Sequence, residues 1–218
     1  EMLEDHIGYV LVSQFEGVTA EQFIAAVEDL ESQGMEKMII DLRNNPGGLL
    51  DAAVEMAAYL LPDGTIVRTE YKNGTGDEYF SKDGELQASS TAGTRLSQYP
   101  IPDDHELDIP MVILVNGNSA SASEVFAGAM RDYDRAELVG TTTFGKGIVQ
   151  SVIPFTGGDA IKLTTAHYFT PDGFDLHGKG LEPDVEVELD GEMTYLINVD
   201  PENDNQIRTA VETLKEME

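Results

Sequence analysis

The sequence predicts an α/β fold in which helices pack on a mixed β-sheet. Three observations support this class: short apolar runs recur along the chain, polar or glycine-rich turns follow them, and apolar residues at helical spacing follow the turns. In the clearest case, the run at residues 38–42 precedes a turn at 43–48 and a predicted helix at 49–61. A second strand–loop–helix unit has its strand at residues 111–115 and its helix at 121–131.

The remaining elements also follow from apolar periodicity and turn residues. A strand at residues 8–15 precedes a helix that we expect to start at the N-cap Thr19, with Gln22 completing a capping box, and to stop at Gly34. Further strands are predicted at residues 65–71, 78–81, 136–139, 147–154, 160–169 and 183–188, and an amphipathic helix at 205–217.

Two segments differ from these strand and helix units. Residues 62–110 are dense in glycine and proline, and we interpret them as a hairpin followed by a long surface loop at about residues 83–108. Residues 189–218 are interpreted as an acidic loop and the C-terminal helix. The length of 218 residues and the absence of an internal repeat favour a single domain.

Composition excludes several classes of protein. The chain has 41 acidic and 13 basic residues, and its net charge of −28 repels nucleic-acid phosphates and anionic lipids, so we expect no nucleic-acid partner. The absence of cysteine excludes disulfides, cysteine nucleophiles and cysteine-ligated metal sites. No apolar run is long enough to span a membrane, and the first residues do not resemble a signal peptide.

The loop after the second buried strand contains the first candidate for chemistry. Ser121 stands among small residues where a helix is predicted to begin. Its hydroxyl would be accessible there, and the N–H groups and positive dipole end of the helix could stabilise an oxyanion. Ser121 and Glu124 also match a capping box, so a purely structural role for the serine is the alternative.

A lysine between two glycines is the second candidate. Residues 144–147 do not match a phosphate-binding loop, which needs four residues between its glycines and Ser or Thr after Lys. On a strand, the side chains of Lys146 and Gln150 would lie on one face. Burial of that face would favour the neutral amine, which can act as a general base held in place by Gln150. The alternative is a surface lysine in a glycine turn.

Glycines directly after the first buried strand are the third candidate. Gly47 and Gly48 would let the backbone approach a ligand closely, whereas the alternative is an ordinary turn in which Asp41 and Arg43 form a structural pair. Other catalytic patterns are missing from the sequence. Neither G-x-S-x-G nor H-E-x-x-H occurs, and nothing positions any of the four histidines beside a serine.

Taken in order, these stretches resemble the carboxyl-terminal processing peptidases, also called tail-specific proteases. The matching segments are residues 41–48, 119–124 and 143–147, together with Gln150, and the resemblance extends from about residue 7 to residue 188. Three motifs in this order, with 25 residues from the serine to the lysine, are specific, although each motif alone is weak.

The resemblance implies a crotonase-like peptidase core and a serine/lysine mechanism that passes through an acyl-enzyme. By position, Ser121 would be the nucleophile, Lys146 the general base and Gln150 the residue that orients the lysine. The backbone N–H groups of Gly48 and Ala122 would form the oxyanion hole, and no cofactor or metal is expected. In such a site, Ser121 Oγ should lie roughly 2.6–3.2 Å from Lys146 Nζ.

The same resemblance has implications for substrate, location and domain content. Substrates would be protein chains with unstructured C-terminal regions, bound as an added strand at an exposed sheet edge. The location would be extracytoplasmic, in the periplasm, the cell envelope or the exterior. Family members usually carry a PDZ domain before the core, and we expect none in this chain because the match already begins near residue 7.

Two other functions are open at this point. A catalytically latent or non-enzymatic module of the same fold would bind an extended peptide without cleaving it. An acyl-CoA-handling enzyme of the crotonase group would use N–H groups of a glycine turn, with a carboxylate as acid and base. Variants separate these functions, because only the peptidase needs both Ser121 and Lys146.

Overall fold

The computed structural model of the chain has the expected α/β class. It describes residues 1–93, 100–103, 105–191 and 203–217. The helices and strands in chain order are β1 (Ile7–Leu11), α1 (Thr19–Ser32), β2 (Lys37–Asp41), α2 (Leu50–Leu60), β3 (Gly64–Tyr71), β4 (Gly76–Lys82), β5 (Glu85–Ser90), β6 (Ile101–Pro102), β7 (Met111–Val115), α3 (Ala122–Asp132), β8 (Glu137–Gly140), β9 (Ile148–Pro154), β10 (Ala160–Phe169), β11 (Val185–Glu186) and α4 (Asn205–Glu216).

A parallel sheet of five strands carries the loops of the candidate site. Its strands lie in the order β1-β2-β7-β8-β11. Alternate residues of a strand face opposite sides, so Met38 and Ile40 pack with α1, α2 and α3, whereas Ile39 packs with α4. Because helices cover both faces, the central strands have continuous apolar sequences.

The other six strands form a separate antiparallel sheet in the order β6-β5-β4-β3-β10-β9. The structure thus divides between two sheets the strands that the sequence predicts in one mixed sheet. The physical reason is local, because β3, β4 and β5 follow one another through short turns and pair as hairpins, as do β9 and β10. In this arrangement β9 is an edge strand, and it begins two residues after Lys146.

The segment predicted as a long surface loop contains two strands. β5 pairs with β4 and β6, and Leu86 of β5 is only 1% exposed. The loop prediction is therefore wrong for residues 85–90 and 101–102, where a buried leucine and hairpin pairing override the glycine and proline content. Residues 94–99 and 104 of that prediction, and residues 192–202 of the predicted acidic loop, lie outside the described residues.

The helices begin and end close to the predicted residues. Thr19 is the first residue of α1 rather than its N-cap, which is Val18. The Thr19 hydroxyl bonds the preceding loop instead, accepting from the Glu16 N–H at 2.9 Å and donating to the Gln14 carbonyl at 3.1 Å. Within the described parts of the chain, no helix has the length and apolar character needed to cross a membrane.

Candidate active site

The turn after β2 has a shape that only glycine fits. Gly47 and Gly48 have φ angles of +93° and +147°, which residues with side chains rarely adopt. A Cβ on Gly47 would lie 2.5 Å from the Ala120 carbonyl oxygen and 2.9 Å from Ser121 Cβ. A Cβ on Gly48 would lie 1.9 Å from the Phe15 carbonyl oxygen. The two glycines therefore allow the turn to touch the serine loop.

Asn45 fastens this turn to the serine loop. Its backbone carbonyl accepts from the Ala120 N–H and the Ser123 hydroxyl, both at 3.0 Å. Its side chain donates to the Val12 carbonyl at 2.7 Å and accepts from the Gly47 N–H at 2.9 Å. Asn45 is not recognisable as a site residue from sequence, because nothing in the local sequence shows which loop its amide and carbonyl contact.

Ser121 has a strained backbone conformation, with φ of 58° and ψ of −113°. It is the N-cap of α3, where the loop after β7 turns into the helix. Such a sparsely populated conformation costs of order 1–3 kcal/mol in a non-glycine residue and is found most often at functional sites. The capping box offered as the alternative is also formed, with the Ser121 N–H donating to Glu124 at 2.8 Å. Capping and catalysis are therefore compatible roles for this serine.

Two backbone N–H groups near Ser121 have no hydrogen-bond acceptor among the described residues. Among the described residues, neither the Gly48 N–H nor the Ala122 N–H donates to a protein acceptor. Ala122 is the first residue of α3, so its N–H has no intrahelical acceptor and lies at the positive end of the helix dipole. These are the two groups that the resemblance implies as oxyanion-hole donors.

Glu124 connects the serine to the lysine segment. Its carboxylate is completely buried. One oxygen, Oε2, accepts from the backbone N–H groups of Ser121 at 2.8 Å and Lys146 at 2.9 Å. The other, Oε1, accepts from the Thr143 hydroxyl at 2.6 Å and the Gly145 N–H at 2.7 Å. One buried carboxylate thus holds the backbones of both candidate catalytic residues.

The glycines on either side of Lys146 allow a neighbouring loop to pack against its backbone. A Cβ on Gly147 would lie 2.5 Å from the His177 backbone nitrogen. A Cβ on Gly145, whose φ is +82°, would lie 3.0 Å from the Gly180 backbone nitrogen. Lys146 itself is half-buried. The glycine-flanked lysine is therefore part of a packed segment and not of an isolated surface turn.

The lysine side chain is not bonded to its expected partners. Among the described residues, the Lys146 amine forms no hydrogen bond with the Ser121 hydroxyl or with the Gln150 side chain. Lys146 precedes the first residue of β9, so strand alternation does not place it on one face with Gln150, which is exposed. The structure therefore brings the backbones of Ser121 and Lys146 together without the side-chain hydrogen bond that we expected.

Histidine does not take the place of the lysine in this structure. The four histidines all lie within the described residues, and none of them forms a hydrogen bond with Ser121. His6 contacts the Gly34 carbonyl and His105 contacts the Tyr59 carbonyl. His167 contacts Asp175 and packs against the ring of His177. Among the described residues, Ser121 is thus not part of a Ser-His-Asp triad.

A buried ion-pair network lies behind the glycine turn. Arg43 donates to the Asp41 carboxylate at 2.6 Å, which is the structural pair given as the alternative for this turn, and to Asp204 at 2.8 Å. Burial by itself lowers the pKa of Arg43, but the hydrogen bonds and charges of both carboxylates outweigh it and raise that pKa. Tyr9 donates to Asp41 at 2.7 Å, and burial together with the Asp41 charge raises the pKa of Tyr9.

We expect Glu124→Gln to destabilise the chain and slow any reaction at this site. Glutamine has the same shape, but its NH2 group would face N–H or O–H groups that now donate hydrogen bonds to the carboxylate. Leaving buried donors unsatisfied is expected to lower the free energy of unfolding by about 2–3 kcal/mol. Activity at temperatures where the variant is folded should fall at least about tenfold.

Denaturant unfolding and cleavage assays measure both effects, with Glu28→Gln on the exposed face of α1 as control. Equal free energies of unfolding and equal activities in the two variants would show that the Glu124 carboxylate does not hold this site together.

Comparison with known proteins decides the family. The model of peptidase family S41 matches residues 6–187. The chain belongs to this family. It is 43% identical over 182 residues to a carboxyl-terminal-processing protease of Synechocystis sp., covering 84% of the chain and 38% of that protein. It is 40% identical over 198 residues to a probable CtpA-like serine protease of Staphylococcus epidermidis, covering 91% of the chain and 36% of that protein. This S41 chain therefore spans less than half the length of these relatives.

Solved structures agree with the family assignment. The photosystem II D1 C-terminal processing protease matches with a TM-score of 0.68 and 33% identity, over 84% of the S41 chain and 42% of that protein. A putative S41 protease from Bacteroides fragilis matches with a TM-score of 0.73 at 18% identity, over 97% of the chain and 55% of that protein, which supports the fold alone.

Proposed function

We propose that the S41 chain is the core of a serine endopeptidase in which Ser121 is the nucleophile and Lys146 the general base. The observation that carries this proposal is the shared carboxylate, because Glu124 Oε2 accepts from the backbone N–H groups of both residues. An activated nucleophile needs a general base nearby, and strained backbone conformations cluster at functional sites. Membership of a peptidase family supports the same reaction class.

The proposed reaction has two acyl-transfer steps. The neutral Lys146 amine takes the Ser121 hydroxyl proton while Ser121 Oγ attacks the peptide carbonyl carbon. The C–N bond then breaks, the leaving amine receives that proton from Lys146, and an ester to Ser121 remains. Lys146 then takes a proton from water while the water oxygen attacks the ester carbonyl carbon. The bond from that carbon to Ser121 Oγ breaks, Lys146 returns the proton to Oγ, and the new carboxyl terminus is released.

Charge on the substrate oxygen would be stabilised by the backbone. The Gly48 and Ala122 N–H groups have no protein acceptor within the described part of the chain, and Ala122 begins α3. Donors that are already oriented in this way stabilise an oxyanion without reorganisation during the reaction.

Substrate binding would bring the lysine amine to the serine. Catalytic hydrogen bonds in ligand-free sites are often long and shorten when substrate excludes water. Lys146 is half-buried, and its flexible side chain is anchored through its backbone N–H to Glu124. The proposal therefore requires a rotation of this side chain that brings Nζ to Ser121 Oγ. Gln150, exposed on β9, would hold the amine only in that rotated position.

The substrate that fits this site is an unstructured C-terminal region of a protein, bound as an extended strand along β9. This strand is the edge of the antiparallel sheet and begins two residues after Lys146. Five large apolar residues on β9, β10 and the turn between them are each at least 40% exposed: Val152, Ile153, Phe155, Ile161 and Leu163. Only Asp159 and Lys162 are charged between residues 148 and 163, although the whole chain carries −28. An extracytoplasmic location is proposed from the resemblance alone.

The acyl-enzyme provides the test of this function. The S41 chain is incubated with an unfolded protein, stopped in acid during turnover, digested and analysed by mass spectrometry. We expect new substrate C-termini and a substrate fragment esterified to the peptide that contains Ser121. Binding without cleavage would favour the latent module, and turnover of acyl-CoA without cleavage would favour the crotonase-type enzyme. Either result would contradict the endopeptidase.

A charge on the edge strand is expected to weaken substrate binding. Ile153→Asp places a carboxylate in the exposed apolar surface of β9, where an extended apolar substrate would lie. We expect KM to rise at least about fivefold with kcat within twofold, since the change removes binding that ground state and transition state share. The control is Ser89→Asp, which adds the same charge on an exposed position of β5. An unchanged KM for Ile153→Asp would show that β9 does not bind the substrate.

A further inference from the structure

The C-terminal helix α4 is joined to the glycine turn by a buried side chain. The Arg43 guanidinium lies between β2 and the beginning of α4 and is only 2% exposed. Its Nε and one terminal nitrogen donate to Asp41 at distances from 2.6 to 3.1 Å. The other terminal nitrogen donates to Asp204 at 2.8 Å and to Gln206 at 2.9 Å. Arg43 therefore connects residues at opposite ends of the chain.

Asp204 has two separate tasks at the beginning of α4. Its Oδ1 caps the helix by accepting from the backbone N–H groups of Gln206 at 2.9 Å and Ile207 at 3.0 Å. Its Oδ2 accepts from Arg43. A substitution that retains the cap and removes the link to Arg43 can therefore separate the two tasks.

The other side of the link reaches the candidate oxyanion hole. Arg43 follows Leu42, whose carbonyl accepts from the Ser119 hydroxyl at 2.7 Å and from the Asn45 N–H at 3.2 Å. The Arg43 backbone N–H also donates to Asp41 at 2.9 Å. Asn45 in turn holds the Gly47 N–H and the serine loop. A displaced Arg43 would therefore shift the first residues of the turn that ends at the glycines.

Apolar packing also holds α4 on the sheet. Ile207, Ala210 and Leu214 of α4 are buried against the apolar residues of β1, β2, β7 and β8. Burial of an ion pair contributes little to stability compared with apolar packing, because desolvation offsets most of the attraction. Attachment of α4 alone therefore does not explain why Arg43 is buried between two carboxylates.

We propose that Arg43 is a positioning residue, which holds the glycine turn in its active shape through its link to Asp204 at the beginning of α4. This inference rests on the proposed function, since the turn is assigned the oxyanion donor Gly48. The beginning of α4 would then support the shape of the turn without touching the substrate.

The experiment uses Asp204→Ser, because replacing Arg43 itself would leave the buried Asp41 charge without its partner. Serine caps helices well but is too short to reach Arg43. The matched control is Leu214→Ala, which weakens the packing of α4 and touches neither Arg43 nor the turn. Cleavage kinetics are measured at a temperature where both variants are folded, together with hydrogen exchange of peptides that cover residues 42–49.

We expect Asp204→Ser to lower kcat at least about tenfold with KM within twofold, and to speed exchange at residues 42–49 by a similar factor. Leu214→Ala should speed exchange in α4 and leave kcat within twofold. Equal losses of kcat in the two variants, or faster exchange at the turn with unchanged kcat, would overturn the positioning role. Hydrogen exchange can be measured without catalytic activity. If residues 42–49 exchange as slowly in Asp204→Ser as in the parent chain, this inference is overturned, whether or not the parent chain is a peptidase.

Discussion

Replacing Ser121 by alanine is expected to lower kcat/KM for peptide cleavage by about 10⁴-fold or more. The proposed reaction has no second nucleophile, and loss of a nucleophile leaves only the contributions of binding and of the oxyanion donors. The fold should be retained, because the Ser121 N–H and carbonyl groups still hold the loop and the loss of its side chain from the capping box costs only about 1 kcal/mol. Cleavage is followed by mass spectrometry of an unfolded protein substrate, and folding by denaturant unfolding.

The control for this variant is Ser13→Ala, which removes an exposed hydroxyl from the loop between β1 and α1. It should cleave the substrate at the parent rate. Cleavage that survives in Ser121→Ala at more than about a hundredth of the parent rate would mean that another group is the nucleophile.

Replacing Lys146 by arginine is expected to be almost as damaging as replacing it by alanine, with both lowering kcat by about 10³-fold or more. Arginine retains the positive charge and length but is not deprotonated in proteins, so it cannot take the Ser121 proton. A lysine that acted only through its charge or packing would be replaced well by arginine. The comparison of the two variants therefore isolates proton transfer from electrostatic support.

Lys179→Ala provides the control for the lysine variants. Lys179 is also in the segment that packs against residues 145–147, but its amine lies over the Phe174 ring at 5.0 Å from the ring centre. We expect this variant to retain kcat within twofold. Near-parent activity of Lys146→Arg would exclude Lys146 as the general base and leave the serine without an assigned proton acceptor.

Much of the secondary structure followed from local sequence. The strands at 111–115 and 160–169 have the predicted ends, because β-branched residues and turn residues at their boundaries act over a few positions. The glycine turn followed in the same way. The division into two sheets did not follow from local sequence, because strand pairing depends on contacts between distant segments. The strand β5 was not predicted either, because the glycine content of its surroundings favoured a loop over the alternating pattern around Leu86.

The sequence by itself determined which residues could do chemistry in this S41 chain. A serine among small residues, a lysine between glycines and a turn of two glycines are defined by residue type and spacing, which need no long-range information. The family followed from their order. The role of Glu124 was hidden, since a capping box explains this residue completely until the Lys146 segment is seen to share its carboxylate.

Only the tertiary structure decided how these parts are held. Arg43 and Asp204 are 161 positions apart and meet because α4 covers the face of the sheet opposite to α2 and α3. Asn45 joins two loops because β2 and β7 are neighbouring parallel strands whose carboxyl ends lie at one edge. The physical reason is the same for both residues. A hydrogen bond between distant residues forms only after packing of the apolar core has set the distance between their elements, and local sequence does not contain that distance.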